Sequence, residues 1–250
     1  MRAPSQRAAL RSPSPSFNEV SKSNMSVEIA GNIANVRRRI REACARSGRD
    51  ATTVTLLGVS KTRPAADIRA AVAAGLGDIG ENYLQEALAK QPELNDLAIT
   101  WHFIGPIQSN KTRAIAEHFT WVHSVDRLKI AQRLSEQRPA ALPPLSLCLQ
   151  VNISGEASKS GCAVAELPAL AEAVSALPNL RLRGLMAIPE PGDNRAFEAM
   201  HALFTSLQRR WPQLDTLSLG MSADLEAAIA AGATMVRIGT DIFGARPARP

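Results

Sequence analysis

The chain has 250 residues, 45% of them hydrophobic, and a mean hydropathy of -0.08, enough apolar side chain to bury one large core at about the length of a single α/β barrel. Formal charge is +6, but Arg2, Arg7, Arg11 and Lys22, offset by Glu19 alone, place half of it in residues 1–24; the remainder is no polycation, and no basic stripe interleaved with aromatics marks it for nucleic acid. Cys44, Cys148 and Cys162 are odd in number and form no C-x-x-C pair, and no apolar run reaches the roughly 18–20 residues that span a bilayer, which argues against a disulfide framework, a zinc site and a membrane span and for reduced thiols in the cytosol.

Residues 1–25 read as a tail. Its Ser12-Pro-Ser-Pro-Ser16 segment has the composition of disordered chain, and it lacks the apolar core of a signal peptide. Rich in arginine and serine and poor in acid, it superficially resembles a transit peptide, but Met25 directly precedes the first helical pattern, as an upstream start codon would produce. Ser26 is placed to cap a helix whose apolar stripe is Ile29, Ile33, Val36, Ile40 and Cys44, with Gly48 beyond its end. Strand patterns then fall at residues 54–60, 78–80, 101–105, 121–124, 145–153, 182–188, 217–219 and 235–238. Helical patterns lie between or after them at 64–74, 83–90, 111–117, 126–136, 166–176, 194–210 and 224–231. Eight strands with helical crossovers predict one (β/α)8 TIM barrel with an extra N-terminal helix over residues 26–247. An open doubly wound sheet gives similar alternation, and the strand count favours the barrel.

Barrels gather function where strands run out at their carboxyl ends. Polar residues recur there: Lys61, Glu81-Asn82, Gln108-Ser-Asn110, His123-Ser124, Asn152, Ser222 and Gly239-Thr240. Lys61 closes the buried-strand run that begins at Thr53. A lysine desolvated at that point can attack a carbonyl as a neutral amine, although a strand-end lysine snorkelling to solvent produces the same local pattern. After the seventh and eighth strands, Gly220-Met-Ser222 and Gly239-Thr240-Asp241 each run through glycine into a helix start, where unpaired amides and a hydroxyl can meet an anion. Ordinary helix capping by Ser222, Asp224 or Thr240 explains either segment alone. Together with the lysine, the two describe a site for a phosphorylated carbonyl ligand.

These segments lie in a longer set of ordered motifs: Gly58-Val-Ser-Lys61, Gly80-Glu-Asn-Tyr-Leu-Gln-Glu86, Trp101-His-Phe-Ile-Gly105, Gln108-Ser-Asn-Lys111, Val151-Asn-Ile-Ser154, Ala157-Ser-Lys-Ser-Gly161, Gly184-Leu-Met186, Leu219-Gly-Met-Ser222 and Val236-Arg-Ile-Gly-Thr240. Over residues 27–247 the chain thereby resembles the pyridoxal phosphate homeostasis proteins, vitamin B6 binding barrels related to the N-terminal domain of alanine racemase. The resemblance implies a fold type III pyridoxal phosphate protein without the C-terminal β-domain. It implies that Lys61 holds pyridoxal 5'-phosphate as an internal aldimine, that Ser222, Gly239 and Thr240 bind its phosphate, with Met221 beside them, and that Arg237 faces the pyridine nitrogen. A guanidinium there donates to the nitrogen and disfavours the pyridinium, weakening the cofactor as an electron sink. Asn82 and His102 are expected near the ligand, although a packed strand histidine fits the neighbours of His102 equally. Lys111 and Lys159 sit in loops carrying family motifs, where a part in passing on the cofactor and plain solvation are both compatible with the pattern.

The implied role is a non-enzymatic, cytoplasmic monomer that binds, buffers and delivers pyridoxal phosphate to apo enzymes, supporting amino-acid and keto-acid balance. The other reading on the same cofactor is an amino-acid racemase. Two-base racemisation needs a second proton-transfer group opposite the lysine, which the resembling racemases take from a tyrosine of an additional domain; here the only tyrosine is Tyr83 and little sequence follows Gly244. A Schiff-base aldolase would use Lys61 and the phosphate segments alone, and the motif set argues against it.

Overall fold

The computed structural model describes residues 17–156, 159–190 and 192–245, with side chains from residue 25 onward. Strands β1 (Thr55–Val59), β2 (Asp78–Glu81), β3 (Thr100–Phe103), β4 (Trp121–Val125), β5 (Leu145–Gln150), β6 (Leu180–Met186), β7 (Thr216–Ser218) and β8 (Met235–Ile238) are all parallel and pair in chain order. β8 returns to β1, with Leu56 opposite Val236 and Gly58 opposite Ile238. That pairing closes the barrel and eliminates the open sheet.

Period-two alternation decides what fills it. Leu56, Val236 and Ile238 turn outward into a core shared with the helices, while Leu57, Val59, Ile104 and Met235 form a small apolar cluster of their own. The outer layer is made by α2 (Ala65–Ala73), α3 (Leu84–Lys90), α4 (Thr112–His118), α5 (Leu128–Gln137), α6 (Leu167–Ser175), α7 (Asn194–Gln208), α8 (Leu225–Ala230) and a single turn, α9 (Thr240–Phe243).

The extra helix, α1 (Phe17–Arg46), packs on α2, α8 and α9 through the predicted stripe, with Ile29, Ile33, Val36, Ile40 and Cys44 all buried. Each large aliphatic contributes about 1.5–3 kcal/mol at most by leaving water. Ser26 does not cap this helix. The helix begins at Phe17, nine residues earlier, because no proline or glycine interrupts residues 16–30 and the nearest breaker is Pro15. The tail therefore gives way to helix before residue 25, and residues 1–16 lie outside the described residues. One strand also stops early. β5 ends at Gln150 and not at Ile153, since Gln150 and Asn152 trade backbone bonds with Cys162 as the following loop folds back.

Candidate functional site

The site is built first around a held turn. Beyond β1, the Ser60 amide donates to the Gly80 carbonyl (3.0 Å), its carbonyl accepts from Lys90 Nζ (3.0 Å), and its hydroxyl donates to Glu81 Oε1 (2.5 Å). Lys90 Nζ also reaches Glu81 Oε1 at 2.6 Å, while burial pushes the Glu81 carboxyl upward against the pull of that ammonium. Thr62 sits at φ +64°, a left-handed conformation that costs a β-branched residue on the order of 1–3 kcal/mol. Its amide is held by Glu86 Oε2 at 2.9 Å. Lys61 lies between these two anchored residues, half-buried, so its stem leaves the barrel in a direction set by its neighbours.

A cavity of about 270 Å³ opens at this end of the barrel. Lys61 and Val59 line it from β1 and its turn, Asn82 from the end of β2, Ile104 after β3, Ile188 after β6, and Met221, Ser222 and Ala223 after β7. Arg237 of β8, then Gly239 and Thr240, complete the wall with Arg63 and Gly244. The structure thus brings together Lys61, Asn82, Met221, Ser222, Arg237, Gly239 and Thr240.

The β7 and β8 segments touch each other directly: the Asp241 amide donates to Ser222 Oγ at 3.4 Å. Gly220 makes this turn possible, because it adopts φ +86° and a Cβ there would lie 2.6 Å from that of Ala228. From outside, Arg39 of α1 clamps the pair. Its guanidinium donates to the Ser222 carbonyl (2.9 Å), to both oxygens of Glu226 on α8 (2.7 and 2.9 Å) and to Asp241 Oδ2 (2.5 Å). Arg237 is buried, donating through Nη1 to the carbonyl and hydroxyl of Ser218 (2.6 and 2.8 Å) and through Nη2 to the Ala187 carbonyl (2.9 Å). Burial lowers its pKa to about 10, which leaves it protonated at neutral pH.

His102 is not brought to the cavity. It is fully buried one layer deeper, with Nδ1 on His123 Nε2 (2.9 Å), Nε2 on Asp78 Oδ1 (3.0 Å) and its ring stacked on Trp121. Strand alternation supplies the reason: Ile104, two residues further on and just past the end of β3, takes the lining position on the same face. Lys159 is also elsewhere, paired with Glu156 and Glu190 at 2.9 and 2.8 Å. Glu81 was singled out as a polar strand end, but sequence reasoning missed its partner Lys90, whose faint signal is a base nine residues after a buried-strand acid. Arg39 carried none, since an arginine on a helix face reads as a solvated charge.

A parallel barrel with a lysine-bearing turn at β1 and paired turns after β7 and β8 defines a class: the model of the alanine racemase N-terminal domain family matches residues 31–247. Within that class, the pyridoxal phosphate homeostasis protein of Pseudomonas aeruginosa is 72% identical over 222 residues, covering 87% of this chain and 96% of the relative. The protein of the same name from Escherichia coli is 57% identical over 227 residues, covering 88% and 97%. The solved structure of PipY from Synechococcus elongatus with PLP bound superposes with a TM-score of 0.75 at 40% identity, covering 86% of this chain and all of that one. The chain belongs to the pyridoxal phosphate homeostasis protein family.

Proposed function

We propose that this protein binds pyridoxal 5'-phosphate in the cavity at the β1, β7 and β8 strand ends and acts as a carrier that buffers the cofactor and delivers it to apo enzymes. The observation that carries the reading is the convergence of three chemistries on one cavity of about 270 Å³: an amine at Lys61, hydroxyls at Ser222 and Thr240, and a buried cation at Arg237. The residues fit the cofactor. Asn82 Oδ1, which lies at the same wall, is buried without a hydrogen-bond partner, an arrangement that favours a ligand donor beside it.

When bound, the cofactor supplies an aldehyde that an amine can capture covalently and a ring that can delocalise charge. Lys61 is held to present its amine to that aldehyde. Ser222 and Thr240, with the backbone between them, receive the phosphate. Arg237 offers only donors, so the group it faces must accept, and a ring nitrogen accepts only while unprotonated. That preference works against stabilising negative charge on the ring. The described residues include no helix long and apolar enough to cross a membrane; the carrier we propose is a cytoplasmic monomer.

The test is an absorption spectrum of the purified protein titrated with pyridoxal phosphate, followed by borohydride reduction and peptide mapping. A near-visible band and a pyridoxyl label on Lys61 are expected. Incubation of the loaded protein with L-alanine in deuterated water separates the roles: rapid D-alanine formation would establish a racemase, whereas slow exchange without inversion fits a carrier.

A further inference from the structure

Beneath the cavity, a line of polar side chains crosses the barrel interior. Arg237 Nη1 on β8 donates to Ser218 Oγ on β7 at 2.8 Å, Ser218 Oγ lies 3.0 Å from His123 Nδ1 on β4, His123 Nε2 lies 2.9 Å from His102 Nδ1 on β3, and His102 Nε2 lies 3.0 Å from Asp78 Oδ1 on β2. Ser218, His102 and His123 are fully buried, whereas the Asp78 side chain is 36% exposed at the opposite mouth of the barrel. Polar chains of this kind are costly inside a barrel unless every member is satisfied. Here the two ends decide the direction of every bond. A guanidinium can only donate and a carboxylate can only accept, so Ser218 must accept from Arg237 and pass its own hydrogen to His123 Nδ1. His123 then donates from Nε2 to His102 Nδ1, and His102 donates from Nε2 to Asp78. Each middle member gives one hydrogen and takes one.

We propose that Ser218, His123, His102 and Asp78 are positioning residues for Arg237, forming a one-way hydrogen-bond relay that holds both imidazoles as Nε2–H tautomers and turns the remaining guanidinium donors toward the cavity. The inference rests on the pyridoxal phosphate reading only for what those donors meet. Neutrality of the imidazoles agrees with their surroundings. Burial lowers the pKa of His123 well below the ordinary value, with His102 and Arg237 adding repulsion, and burial outweighs Asp78 in lowering that of His102. The other groups packed in this layer are Trp121 of β4, with Arg183 of β6 over its ring, and the Cys148 thiol of β5, whose pKa burial raises to about 12 so that it stays uncharged. Reversing the relay would require a protonated His102, would give His123 Nδ1–H and Arg237 the same Ser218 oxygen, and would leave the serine hydroxyl without an acceptor.

The experiment is nitrogen NMR of histidine-labelled protein without ligand. His102 and His123 should both show the neutral Nε2–H pattern from pH 5.5 to 8, and an imidazolium or an Nδ1–H tautomer at either would overturn the relay. Asp78→Ala, at the partly exposed end, should shift the nitrogen resonances of His123 as well as His102, and Asp78→Asn, which keeps an acceptor oxygen, should largely restore them. A change confined to His102 would overturn the coupling. Ser218→Ala should weaken pyridoxal phosphate binding by about tenfold, with Ser218→Thr recovering it, because one bond to a charged donor is lost. Unchanged affinity in Ser218→Ala would overturn the positioning of Arg237. Correct tautomers in a protein that does not bind pyridoxal phosphate would instead remove the functional reading and leave the relay standing.

Discussion

The two sides of the barrel mouth use their polar residues differently. On the side formed by β7, β8, β1 and β2, Lys61, Asn82, Ser222, Arg237 and Thr240 all reach one cavity, while the structural bonds that steady them come from residues behind, such as Arg39, Glu81 and Lys90. On the β4 to β6 side, equally polar strand ends are consumed by their own and neighbouring loops. Ser124 Oγ donates to the Gly105 carbonyl, Asn152 bonds Glu156, Lys159 and Gly155 within its loop, and Lys159 is paired twice with acids. From β6 comes a hydrophobic contribution alone, Ile188. On the cavity side, Arg237 and Ser222 keep structural bonds of their own and still line the space for a ligand, whereas the Asn152 and Lys159 side chains are spent within their loops and on neighbouring acids.

Removing the one covalent group should break this contrast most severely. Lys61→Ala is expected to abolish both the near-visible band and the borohydride-fixed label. Transfer of the label to Lys159 or Lys111 would show that the opposite side or a neighbouring loop also presents a reactive amine. The phosphate segments come next. Loss of one hydrogen bond to a charged oxygen costs about 1.5–3 kcal/mol, so Ser222→Ala and Thr240→Ala should each weaken pyridoxal phosphate binding by roughly 10- to 150-fold in a fluorescence titration. Wild-type affinity in both would assign the phosphate to backbone amides alone.

A smaller effect separates structural from ligand-binding polarity on the β4 side, where His123 points inward. Its folded pKa, and that of His102, lie below the ordinary value near 6.5, so as pH falls below about 6.5 the unfolded chain binds protons that the native chain refuses. These groups contribute stability above that pH, and it is lost as pH falls toward their folded pKa values, by at most about 1.4 kcal/mol per pH unit for each. Urea unfolding between pH 7.5 and 5 should show this decline, and His123→Gln should flatten it. An identical slope in the variant would place the proton uptake elsewhere.

Much of this architecture was legible because it follows short-range rules. The eight strands were visible as apolar runs bounded by turn residues, and the β7 and β8 segments announced themselves through Gly220 and Gly239. The site lysine stood out because it ends such a run. What escaped was set by contacts distant in sequence. Arg39 acts on Ser222 and Asp241 across about two hundred residues, and nothing local in α1 distinguishes it from Arg38, which pairs with Glu42 on the helix surface. His102 was expected near the ligand through the family resemblance, with a packed strand histidine as the equal alternative, and it is the packed position that it takes. The depth at which a side chain lies inside a barrel depends on strand stagger, which no single strand sequence contains.

The weakest expected effect tests the opposite side itself. Asn152 and Lys159 carry the same residue types that bind ligands elsewhere, and Lys159 lies in a loop bearing a family motif. Yet the Asn152 amide bridges backbone groups of its own loop, and the Lys159 ammonium, whose pKa is raised first by its bond to Glu190 and then by that to Glu156, is engaged with acids. Exposed pairs of this kind are worth little to stability, so Lys159→Ala should leave unfolding almost unchanged. Asn152→Ala should loosen the loop without touching the cavity. Both should bind pyridoxal phosphate within about twofold of the parent, since no lost contact exceeds about 0.4 kcal/mol in binding. Equilibrium affinity is the discriminating measurement for the binding side. If it stays constant while the rate of cofactor transfer to an apo enzyme falls in Lys159→Ala, the β4 to β6 side serves the exit of the cofactor and the β7 to β2 side its retention. If affinity itself falls tenfold, the ligand is gripped from both sides and the division between them is wrong.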